Sequence, residues 1–291
     1  MDRSPASGRR DNRQAVRDSE RIDAVSLSPA EEKEVARNLP PSVQVLHETV
    51  RVQGDLEMER SAAALGWSAL AAGLSMGFSM LAPALLHVHL SDTPERFLVS
   101  RLGYCVGFLI VILARQQLFT ENTMTAVLPF MTQPSARSLW RLLRLWGIVF
   151  AGNIVGGTLF AYGISRMQVV DAATRDAILS AGGEMMGNTV FQMFAKAILA
   201  GWLIAMMVWL VAAAEKSKTL AIVLMTYLVG LGGFAHVIVG SIEGLFMVFQ
   251  DALPFGRYVA NFLLPTLAGN IVGGSLIFAL ISHAQVRSDD G

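Results

Sequence analysis

Ala151-Gly-Asn-Ile-Val-Gly-Gly-Thr158 returns 117 residues later as Ala268-Gly-Asn-Ile-Val-Gly-Gly-Ser275. Both copies sit inside long apolar segments. A motif recurring once at that distance marks a half of about three helices that is used twice. An odd number of crossings per half makes the second half enter a membrane from the opposite side, the inverted repeat of many channels and transporters.

The composition fits a membrane reading. Of 291 residues, 53% are hydrophobic and 16% charged, and the mean hydropathy is +0.48. The charge is uneven: residues 1–60 hold 22 of the 46 charged side chains, so the apolar remainder reads as membrane-embedded. Zero net charge gives no sign of a nucleic-acid partner. The single cysteine, Cys105, excludes an internal disulfide and any cysteine-based metal cluster. Met1–Pro41 is polar and lacks the apolar stretch of a signal peptide.

A crossing needs about 20 apolar residues. Six segments qualify, near 62–88, 97–131, 142–164, 188–213, 219–250 and 258–283, which predicts an all-α integral membrane protein. The loops at 133–144 and 214–219 carry Arg137, Arg141, Arg144, Lys216 and Lys218, which places them and both termini in the cytoplasm. Arg96, Arg101, Arg166 and Arg175 sit in the opposite loops or near span ends. Residues 1–58 read as a charged cytoplasmic tail, 59–284 as the channel domain and 285–291 as a short cytoplasmic end. Within the tail, Met1–Arg37 has the composition of solvated disorder. Ser42–Arg60 reads as a surface helix with Val43, Leu46 and Val50 on one side, a loosely ordered linker rather than a gate.

Segments two and five are too long for one helix and carry polar interruptions. Arg115-Gln-Gln-Leu-Phe-Thr-Glu-Asn-Thr123 cannot face lipid as unbroken helix, because a charge in hydrocarbon costs several kcal/mol. Treating it as a surface loop leaves too few residues to cross before Gln133. A broken helix satisfies both facts. The fifth segment breaks at the matching place, with Gly230, Gly232, Gly233 and a lone His236 in mid-span. Glycine lets the backbone leave the helix and approach a permeant species closely. New helix N-termini at the two breaks expose N–H groups that favour anions. His236 can donate a hydrogen bond, and on protonation it would add a charge where an anion passes. Gly152 with Gly156, and Gly269 with Gly273, form small faces for close helix packing, with Asn153 and Asn270 tying those helices to the broken segments.

These residues together resemble the formate/nitrite transporter family. The family marks are Leu118-Phe119-Thr120 in the second span and Gly233-Phe234-Ala235-His236 in the fifth. Gly-Asn followed by paired small residues in the third and sixth spans completes the set. Each mark is weak alone, while the ordered set across residues 60–283 is specific. The long tail and the Arg115–Thr123 run resemble the YfdC-like branch. The resemblance implies an aquaporin-like six-helix protomer, helices 2 and 5 broken, assembled as a homopentamer in an inner membrane with one pore per protomer. It implies as substrates small monovalent anions of weak acids, such as formate or nitrite, with a proton as partner and no cofactor. Leu118 and Phe119 would narrow the pore on the cytoplasmic side, Phe234 and His236 on the other. Thr120 would contact His236 and influence its protonation. The anion would be desolvated between apolar rings and cross as the neutral acid.

The chain departs from that family in places. Arg115, Gln116 and Gln117 stand where small residues and an acid are common. Gly201 appears at the position of a pore asparagine. Gly183-Glu184-Met185-Met186 replaces a stretch with a lysine. Lys196 and Glu243 are charges where neutral residues are usual, and the two are expected to pair. With Arg115 and Gln117, they are candidate modulators of the pathway. Two other readings differ in class. An aquaporin-type channel for neutral solutes would carry paired Asn-Pro-Ala turns, and a scaffold or sensor would work through its tail. No nucleotide loop, metal-ligand cluster or Ser/His/Asp set suggests an enzyme.

Overall fold

A computed structural model describes residues 28–38 and 41–289. The chain divides into two compact units, Met1–Pro41 and Ser42–Gly291. In the first, residues 1–27 lie outside the described residues, and α1 (Pro29–Asn38) is helical where the sequence suggested disorder. The cause is local. Ser28 Oγ and Glu31 Oε2 bond reciprocally across the helix start, satisfying backbone donors that would otherwise need water.

The second unit is helical, with no strand among the described residues. Its elements are α2 (Val43–Glu59), α3 (Ala62–His89), α4 (Glu95–Leu113), α5 (Phe119–Thr125), α6 (Val127–Thr132) and α7 (Ala136–Arg166), then α8 (Ala172–Met186), α9 (Val190–Ala213), α10 (Lys218–Leu231), α11 (Val237–Phe249) and α12 (Phe255–Val286). Of these, α3, α4, α7, α9 and α12 are long and apolar enough to cross a membrane, while α10 and α11 are shorter apolar helices. The backbone leaves the helix between α4 and α5 and again between α10 and α11.

Close backbone approach organises the packing. A side chain on Gly156 would strike the Leu70 carbonyl and one on Gly273 the Ile198 carbonyl. A Cβ at Gly152 would lie 2.6 Å from that of Ala69, and one at Gly269 2.5 Å from that of Ala197. The repeated motif therefore brings α7 onto α3 and α12 onto α9, the same contact in each half. Gly201 belongs to this set. It faces the Asn270 backbone across α9 and α12, as Gly73 faces the Asn153 backbone across α3 and α7, so its missing side chain serves helix packing.

Two segments differ from their sequence reading. Residues 172–186, taken as part of a loop, form α8, because Asp171 accepts the Thr174 N–H at 2.8 Å as N-cap and Ile178 and Met186 are buried. Nor is α2 loosely held: Val50 and Met58 are buried, and Gly54 lies against the Thr125 carbonyl. Arg144 donates to the Arg60 carbonyl at 2.9 Å, and Arg141 pairs with Glu59 at 3.5 Å and with Asp55 at 3.7 Å. His47 of α2 meets His283 at the far end of α12, Nε2 to Nδ1, 3.1 Å. Both ends of the described unit and the basic 133–144 stretch thus share one side.

Candidate functional site

The two interruptions are built alike. At the first, Arg115 takes φ +54°, its N–H bonds to Ile112 O, and the Gln116 N–H reaches back to Val111 O at 2.9 Å. At the second, Gly233 takes φ +56°, bonds to Gly230 O, and the Phe234 N–H reaches Val229 O at 3.0 Å. Each is a left-handed helix stop that uses up the last carbonyls of α4 or α10. Three residues later the chain turns helical again, with Leu118 and His236 extended at the N-cap positions of α5 and α11.

An asparagine closes each break. Asn153 Oδ1 accepts the Phe119 N–H at 2.8 Å, while its amide donates to the Ala69 and Gln117 carbonyls. Asn270 Oδ1 accepts the Val237 N–H at 2.9 Å, while its amide donates to the Ala197 and Ala235 carbonyls. Extended backbone at membrane depth is tolerable only where its polar groups find protein partners, and one side chain supplies three. The first N–H of each new N-terminus is thereby occupied, which reduces the anion attraction expected of these ends.

His236 joins the two breaks. Its Nε2 lies 2.7 Å from Thr120 Oγ1, and Nδ1 accepts the Val239 N–H at 3.3 Å. A nitrogen that accepts a backbone N–H carries no proton of its own, so the neutral ring has its hydrogen on Nε2 and donates it to Thr120. The Thr120 hydroxyl then keeps its own proton for another acceptor. Phe108 presses edge-on against the imidazole, ring centres 5.0 Å apart, and fixes its plane. His236 and Thr120 are both buried.

A cavity of about 280 Å³ runs up to this histidine. Gly233, Phe234, His236, Lys196 and Glu243 line it, as do Arg101, Tyr104 and Glu184. Leu118, Phe119 and Thr120 lie beyond it. Leu118 is fully buried, and Phe119 packs edge-on against Trp146 and Phe150 at 5.8 and 5.1 Å. Gln117 turns the other way, donating to Glu57 of α2 at 2.7 Å and accepting from Asn122 at 2.9 Å. Arg115 is exposed at the turn. Gly233 has open space where a Cβ would be, so its requirement for glycine lies in its φ and not in a close neighbour. Gly232 is the crowded one, its missing Cβ 2.6 Å from the Phe234 ring.

Lys196 and Glu243 line the same cavity, yet they form no ion pair among the described residues. Sequence reading noted Arg101 only as a charge weighing on orientation and passed over Tyr104 and Phe108. Arg101 was available as a charge inside an apolar run, but near a span end such a charge resembles an interface anchor. No group of three or more metal-ligating side chains occurs among the described residues.

Comparison with known proteins agrees with this architecture. The formate/nitrite transporter family model matches residues 44–284. The inner membrane protein YfdC of Escherichia coli K12 is 51% identical over 251 residues, covering 86% of this chain and 81% of that protein. The formate channel FocA of Haemophilus influenzae is 26% identical, over 66% of this chain and 75% of its own. Among solved structures, an FNT family ion channel superposes with a TM-score of 0.74 at 21% identity, over 82% of this chain and 98% of that one. A pentameric formate channel with formate bound gives 0.67 at 20% identity, over 78% and 98%. At those identities the structural likeness speaks for the fold, and the sequence matches speak for descent: this chain belongs to the formate/nitrite transporter family.

Proposed function

We propose that the protein is a six-crossing membrane channel of two inverted three-helix halves, passing small monovalent anions of weak acids with a proton. The observation that carries this reading is the Thr120–His236 hydrogen bond, which links two interrupted helices at the end of a cavity. In the proposed path an anion enters the cavity, meets Phe234 and His236, and leaves past Leu118 and Phe119. An ion in an apolar constriction suffers a large desolvation penalty, which neutralisation by a proton largely removes. The proton must come from outside the imidazole as it stands, because its two nitrogens are already engaged, one as donor and one as acceptor.

The termini, α2 and the basic 133–144 loop lie on the cytoplasmic side in this reading, with the cavity opening outward. Residues 59–284 form the conducting domain, and a homopentamer is the assembly, as in the formate channel of like fold. The test is uptake of formate, nitrite and acetate into proteoliposomes, with and without an inward proton gradient. Acceleration by the gradient is expected. His236→Ala should leave the oligomer intact and change the pH dependence of uptake. A variant with the wild-type profile from pH 5 to 8 would remove His236 from the mechanism.

A further inference from the structure

One face of α11 carries His236, Val239, Gly240 and Glu243 along the cavity wall. Seven helical residues place Glu243 about 10 Å along the axis from the histidine, toward the mouth. Its carboxylate makes no hydrogen bond or ion pair among the described residues. Lys196 is likewise without a carboxylate partner, and Arg101 has a buried Nε with no acceptor while its guanidinium lies 4.9 Å above the Phe97 ring. Charges within a span ordinarily pair with one another. Here two cations and two carboxyls, Glu243 and Glu184, line one cavity without forming an ion pair, which leaves donors for a ligand and a proton-carrying group in the same space.

We propose that Arg101 and Lys196 seat a small monocarboxylate in the vestibule and that Glu243 protonates it there. The inference rests on the anion/proton reading above. In the step, the Glu243 O–H bond breaks and an O–H bond forms on the bound carboxylate. The neutral acid moves on to Phe234 and His236, and Glu243, now a carboxylate beside Arg101, regains a proton from water of the outer phase. An anion between the two cations also gives Arg101 Nε the acceptor it lacks. The other groups facing this space are His87 of α3, Tyr104 after the first turns of α4, and Glu184 of α8. No lining residue comes from α7 or α12, and α12 packs beside the cavity face of α11, Phe262 on Gly240 and Tyr258 on Gly244. Because the step needs a basic anion, anions of strong acids are seated but not passed.

The experiment is uptake of labelled formate, acetate and chloride by the full-length protein in proteoliposomes, at outside pH 5 to 8, for wild type, Glu243→Gln and Glu243→Asp. Expected are a tenfold or greater loss of formate flux and of its acceleration by the proton gradient in Glu243→Gln, recovery in Glu243→Asp, and no chloride flux in any. Wild-type rates and an unchanged pH profile in Glu243→Gln overturn the inference and leave the anion/proton reading standing. Chloride passing as fast as formate overturns the protonation step. A wild-type protein that moves no weak acid overturns both readings together. Should Glu243→Gln fail to assemble, Arg101→Gln decides the seat: a severalfold higher KM for formate at an unaltered maximal rate supports it, and an unaltered KM removes it.

Discussion

Arg115 and Gly233 hold the same backbone angle at equivalent turns, yet one carries a long side chain. For a residue with a Cβ the left-handed conformation costs about 1–2 kcal/mol, so the first break is the strained one. Arg115→Gly should be tolerated and raise the melting temperature in detergent, whereas Gly233→Val should lower it by the equivalent of about 2 kcal/mol. Equal melting of the two variants would mean that the turns are not equivalent. The presence of a break was legible at both places, from polar residues in one and glycines in the other. The reason for Gly233 was not: close approach to a permeant species and a positive φ leave the same mark in a sequence, and only the open space around Gly233 separates them. The state of the His236 ring was equally hidden, since it follows from the Val239 N–H one helical turn away.

At the scale of elements, four of the spans read from hydropathy overlap single long apolar helices, α3, α7, α9 and α12, because lipid demands a length that composition reveals. The second and fifth are each divided among shorter helices. α8 was missed because its apolar residues are sparse and its start depends on one capping aspartate. The packed state of α2 was missed because Gly54, the residue that permits it, looks in sequence like a helix weakener. Asn153 and Asn270 each bond to the backbone of an interrupted segment, and their three bonds apiece are visible only in space. Loss of either should be costly. Asn153→Ala leaves the Phe119 N–H and the carbonyls of Ala69 and Gln117 without partners, a penalty of about 3 kcal/mol or more. Asn270→Ala should cost about as much, and thermal unfolding of the two variants side by side measures both. A melt within error of wild type would show that water replaces the amide.

For the whole molecule, the contact of His47 with His283 joins the two ends of the described unit. Burial, and next the charge of His283, hold His47 below its usual value near 6.5. The folded protein therefore binds fewer protons at this site than the unfolded chain. This contribution is complete above pH 6.5 and is lost as the pH falls below it. Melting temperature should decline on acidification, and His47→Gln should flatten that part of the curve. A slope that survives the substitution would assign the effect to other groups. The all-helical fold was the most legible level of all, since long apolar segments and a doubled motif can be read before any contact is known. The cavity was the least legible, because Arg101, Lys196, Glu184 and Glu243 come from four helices that no sequence period relates.

Asn153 binds Ala69, Gln117 and Phe119, and Asn270 binds Ala197, Ala235 and Val237, so each staple closes within its own half. The first half therefore has everything needed to shape its interrupted span while the ribosome is still making the second. Thr120 has to wait for His236, and Thr123 for Ser275, before the halves are joined. Biogenesis then proceeds as two similar events followed by a docking. A gene divided between Arg166 and Ala172 should still yield the folded protein from two co-expressed polypeptides.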